Sequence, residues 1–76
     1  MPESLFQPPV QPEKRARTLV VDAEERLRLG REDEVLDAIV EELIALEDRH
    51  GLDKLFGSSR WLDRFSTVLI AWRELR

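Results

Sequence analysis

The chain has 76 residues, a net charge of −4, no Cys, four Pro and two Trp. A chain of that length makes one domain at most; it buries only about 60% of its unfolded surface and is marginal as a monomer, and without Cys neither disulfides nor a Cys-rich zinc site can staple it. The uncharged apolar run of the C-terminal part, Phe65 to Trp72, is far below the roughly 17 apolar residues of a membrane-spanning helix; with no basic-then-apolar leader pattern visible either, no membrane association and a cytoplasmic location are expected.

Residues 1–12, MPESLFQPPVQP, hold all four prolines. Pro8, Pro9 and Pro12 remove backbone donors and fix φ, which predicts an extended, proline-rich N-terminal tail. Its one apolar pair, Leu5 and Phe6, is a candidate second contact with a partner. From Pro12 onward Ala16, Leu19, Val20, Ala23 and Leu27 recur at steps of three and four. The spacing predicts a helix over about 13–29, with Glu13 at its positive end, Arg26 and Arg28 at its negative end, and Gly30 as its stop.

The next helix is predicted over about 32–50. Glu32, Asp33 and Glu34 stand in its first turn, Val35, Leu36, Ile39, Val40, Leu43, Ile44 and Leu46 form a wide apolar face, and Asp37, Glu41, Glu42 and Asp48 form the wet one. The connection at Gly30 allows only an antiparallel hairpin. One helical turn near 52–56 is broken by Gly57, and Ser58 or Ser59 caps a last helix over about 59–76. In that helix Trp61, Leu62, Phe65, Val68, Leu69, Trp72 and Leu75 share an unusually broad face. The fold class expected is therefore all-α: a small bundle of three main helices (residues 13–76) behind an extended tail (residues 1–12).

Charge is unevenly placed along this plan. Residues 1–31 carry six Lys/Arg and five Asp/Glu, residues 32–53 one Arg against nine acids, and residues 54–76 five Lys/Arg against two acids. No basic cluster reaches the density of a nucleic-acid-binding arm. Arg60 and Arg64 could open the recognition helix of a helix-turn-helix, and the acidic second helix could mimic DNA phosphates, so DNA binding and an acidic DNA-mimic inhibitor stand as alternatives. A nucleic-acid partner is otherwise not expected, because phosphate would be repelled by that acidic helix.

Glu47 and His50 form an E-x-x-H spacing, half of a di-iron carboxylate site. In an antiparallel hairpin they lie opposite Lys14, Arg15 and Arg17, which repel a metal, so no metal, no other cofactor and no small-molecule substrate are expected. With no Tyr, no Cys and a single His, an activated nucleophile is hard to assemble, and no catalytic residue is assigned.

Two resemblances are present. The hairpin from Leu19 to Leu46, bending at Leu29-Gly30-Arg31, resembles a single tetratricopeptide-type helical pair; Val35 stands where that family has a small residue, and no second repeat follows, so no repeat array is implied. The segment from Trp61-Leu62-Asp63-Arg64-Phe65 through Trp72-Arg73-Glu74 is similar to one near the end of insertion-element transposases. The carboxylate that family carries just upstream is missing from Leu55 to Ser59.

The sequence thus points to a non-catalytic protein–protein interaction module: a small accessory subunit, adaptor or inhibitor of a larger protein, or a homodimer. Aromatic residues and Arg dominate binding hot spots, which selects Trp61, Phe65, Trp72 and Leu75 as anchors, with Arg64 and Arg73 on the rim and Leu5 and Phe6 in the tail. Of the two tryptophans, Trp72 is expected to be the exposed one, because helix ends fray.

Overall fold

The computed structural model describes residues 11–75. Four helices follow one another: α1 (Pro12–Arg28), α2 (Glu34–His50), the single turn α3 (Leu52–Leu55) and α4 (Ser59–Glu74). The three long helices are those the apolar spacing predicts, and the fold is all-α. The expected tail residues 1–10, with Leu5 and Phe6, lie outside the described residues.

Local chemistry sets each boundary. Pro12 occupies the first turn of α1, where its missing N–H costs nothing. At the other end Gly30 takes φ +73, its N–H donates to Leu27 O at 3.2 Å, and Arg31 N–H donates to Arg26 O at 2.8 Å. This six-to-one closure uses carbonyls the helix would otherwise leave unpaired. Helix α2 begins two residues later than the charge pattern suggests. Asp33 is its N-cap, in extended conformation, and its Oδ1 accepts from the N–H groups of Val35 and Leu36 at 3.1 and 3.3 Å; a capping side chain must sit outside the helical turn it serves. Gly51 closes α2 at φ +85 and ψ 150, a conformation open essentially to Gly alone. Ser58 caps α4 by accepting from the Trp61 N–H at 3.5 Å.

Two polar links fix how α1 and α2 pair. Arg15 near the start of α1 meets Glu42 in the second half of α2, while Arg26 near the end of α1 lies 3.8 Å from Asp33 at the start of α2. The hairpin is antiparallel. Contacts between α1 and α4 advance together along both helices, Arg17 with Trp61 and then Glu24 with Arg64, so α4 runs in the same sense as α1. Trp72 near the end of α4 reaches Asp37 near the start of α2. The result is an up-down-up bundle in which α3 carries the chain from the foot of α2 to the foot of α4.

The core takes Ala16, Leu19, Val20 and Ala23 from α1, Leu36, Ile39, Val40 and Leu43 from α2, and Phe65, Val68 and Trp72 from α4. Leu55 and Phe56, in and just after the short turn, are completely buried, and the Phe56 and Phe65 rings stack at 4.9 Å. The turn is therefore a plug across the open end of the bundle. No helix among the described residues is long and apolar enough to cross a membrane.

Candidate functional site

The broad aromatic face of α4 divides between the core and the surface. Phe65 and Trp72 are buried, at 4% and 8% exposure. Neither is a surface anchor in this structure, and the expectation that Trp72 is the exposed tryptophan is reversed. The reason is a hydrogen bond: the Trp72 indole Nε1 donates to Asp37 Oδ1 at 2.8 Å, so the polar edge of the ring is satisfied while its apolar body packs inward. Asp37, expected on the wet face of α2, is half-buried for the same reason.

Trp61 takes the surface role. It stands in the first turn of α4, half-buried, with its ring in cation–π range of two guanidinium groups: Arg64, one turn on, at 4.4 Å from the ring centroid, and Arg17 of α1 at 5.5 Å. Such contacts contribute roughly 0.5–1 kcal/mol each at exposed sites. Arg64 is held in turn by Glu24, its Nε donating to Oε2 at 2.9 Å and its Nη2 to Oε1. That bidentate pairing raises the affinity of Arg64 for its proton, against a smaller opposing effect of desolvation. Trp61 is thus clamped on a rigid support, α1 and α4 cross-linked through Glu24 and Arg64.

Beside the ring lies a shallow cleft of about 420 Å³, open to solvent and lined by Arg17, Thr18, Val21, Asp22, Glu25 and Trp61. Its floor is apolar at Val21, which is 44% exposed. One end is cationic at Arg17 and the other acidic at Asp22 and Glu25. Thr18 turns its hydroxyl back onto the Lys14 carbonyl at 3.0 Å.

The remaining expected residues are dispersed. Leu75, 47% exposed, shares a second recess with Trp72, Leu36, Asp37 and Glu32 at the far end of the bundle, and Arg73 is exposed on α4. Of the expected set, then, Trp61 and Arg64 come together at one end and Trp72 and Leu75 at the other, and Phe65 belongs to the core. Arg17, Val21 and Glu25 complete the first group and were not anticipated. The signal in the sequence was Val21 itself: it follows Val20 but falls off the three-and-four stripe, leaving an apolar side chain on a face that is otherwise polar.

Arg60, the other cation of the helix-turn-helix alternative, is exposed, whereas Arg64 is committed to Glu24. His50 lies with Pro12, Glu13 and Lys54 around a small recess at the foot of the bundle. Among the described residues no group of three or more His, Cys, Asp or Glu side chains could hold a metal ion. The chain matches no family model, no curated protein and no solved structure.

Proposed function

We propose that this protein is a non-catalytic protein–protein interaction module, an accessory subunit, adaptor or inhibitor, whose contact surface is centred on Trp61. The observation that carries this reading is the clamped, half-exposed indole of Trp61 beside the exposed Val21, ringed by Arg17, Arg64, Asp22 and Glu25. A rigid aromatic anchor with Arg at its edge and charged residues around an apolar centre is the composition of a binding hot spot. The contacts of the ring with Arg17 and Arg64 support it further, because a side chain restrained by its neighbours loses less entropy when a partner covers it.

Capture from an extract of the source cells tests the reading, using wild-type protein, Trp61→Ala and Ile70→Ala, with far-UV circular dichroism on each. Ile70 is an exposed apolar residue elsewhere on α4 (60%) and serves as the control. A protein retained by wild type and Ile70→Ala, and lost with Trp61→Ala at unchanged helicity, is the expected result. Equal retention by Trp61→Ala overturns the assignment of the surface.

A further inference from the structure

The outward face of α1 is close to being its own complement. Val21 stands at its centre, Arg17 one turn before it and Glu25 one turn after it, and all three line the cleft beside Trp61. From these positions we infer that the occupant of the Trp61 surface is a second copy of this chain, its α1 laid antiparallel across the first about a two-fold axis through Val21. The inference rests on the Trp61 face being a protein-binding surface, and names its partner.

In that arrangement residues equidistant from Val21 come opposite one another. Arg17 of each copy meets Glu25 of the other, making two ion pairs that flank a Val21–Val21 contact, with each Trp61 beside the junction. The groups are available. Arg17 has no acidic partner among the described residues, and Glu25 has only Arg28 at 4.0 Å, between two exposed side chains. Lys14 and Arg28, two turns either side of the axis, face one another as like charges at the solvent-washed ends, where screening is strongest. Register follows from the same charges: moving the axis by half a turn to position 23 sets Glu25 against Val21 and removes both ion pairs. The outer face of α2 has no such arrangement. Its exposed Glu34, Glu41 and Asp48 would meet their own kind in a second copy.

One helix face of this length makes an interface of the small, transient class, so the association is read by light scattering over about a thousandfold range of concentration. The proteins are wild type, Arg17→Glu, Glu25→Arg and the double exchange R17E/E25R. The wild-type mass is expected to rise from 8.9 kDa towards twice that value, and less so at high salt. Each single reversal places like charges opposite each other and should weaken association at least about tenfold. The double exchange rebuilds both ion pairs with their signs swapped and should return association to within about threefold of wild type. All of these residues are exposed, so the helical signal should be unchanged throughout. A wild type that stays monomeric over the whole range overturns the inference, while leaving the Trp61 surface to a different protein in the capture experiment. A dimer indifferent to all the reversals also overturns it, since the copies then meet elsewhere.

Discussion

Trp72 of α4 donates its indole N–H to the carboxylate of Asp37 on α2 at 2.8 Å, and this bond joins the two helices at the end of the bundle away from α3. Trp72→Ala is expected to cost about 3–5 kcal/mol, the range for emptying a buried aromatic site, enough to remove most of the stability of a chain this small. Asp37→Ala leaves the indole N–H without that acceptor at a partly wet position and should cost about 1 kcal/mol. Urea melts of the two variants, followed by circular dichroism, check both. Equal losses would mean that Trp72 contributes through its hydrogen bond rather than its packing.

The two tryptophans should report different environments. With Trp72→Phe only Trp61 emits, and with Trp61→Phe only Trp72. Trp61, half-buried beside an open cleft, is expected to emit further to the red and to be quenched by acrylamide more steeply than Trp72 at 8% exposure. A steeper response from Trp72 would contradict the assignment of Trp61 as the surface residue.

Gly51 and Gly30 should differ in their tolerance of a side chain, although a Cβ at either meets nothing within 4 Å. The difference lies in the backbone. At φ +85 and ψ 150 Gly51 occupies a region that other residues avoid, and Gly51→Ala is expected to cost about 1–3 kcal/mol. Gly30, at φ +73 in the α1 cap, is in the range that Asn also visits, so Gly30→Asn should cost less than Gly30→Ala. Thermal melts of the three variants provide the check.

Arg15 and Glu42 pair at 2.7 and 2.9 Å across the α1–α2 hairpin. The hydrogen bonds from Arg15 hold the Glu42 carboxyl below the usual glutamate range. A carboxyl whose folded pKa is depressed binds its proton more readily in the unfolded chain. Its stabilisation is therefore complete above the ordinary value of about 4.3 and is lost as pH falls through the lower folded value. Because both side chains are more than two-fifths exposed, the contribution should be at most about 1 kcal/mol. Melting temperatures of wild type and Glu42→Gln should differ slightly at pH 7 and converge under acid conditions or at high salt. A gap that survives both would mean that Glu42 acts by some other route.

Much of the fold was legible in the sequence. The apolar steps of three and four placed α1, α2 and α4, Gly30 marked the end of α1, and Ser58 was one of two expected caps for α4. Less legible were Leu55 and Phe56. A four-residue helix is too short to show a periodicity, and nothing local distinguishes an apolar pair in a connecting turn from one at the centre of a core. The candidate site was half visible: Trp61 and Arg64 belong to one helix and share a face by spacing, whereas Arg17, Val21 and Glu25 come from a helix some forty residues away in the chain.

What the amino-acid order determined by itself was the set of helices, their caps and the stripe each turns inward, because these depend on interactions within a few residues. Only the tertiary structure decided which tryptophan is buried. Trp61 and Trp72 lie three turns apart on nearly the same side of α4, and the local pattern treats them alike. Their difference lies in what the neighbouring helices offer. At one end α2 presents the Asp37 carboxylate, which lets an indole go under cover with its N–H paired; at the other α1 presents Arg17, and α4 itself Arg64, cations that stack on the Trp61 ring where it remains half-exposed.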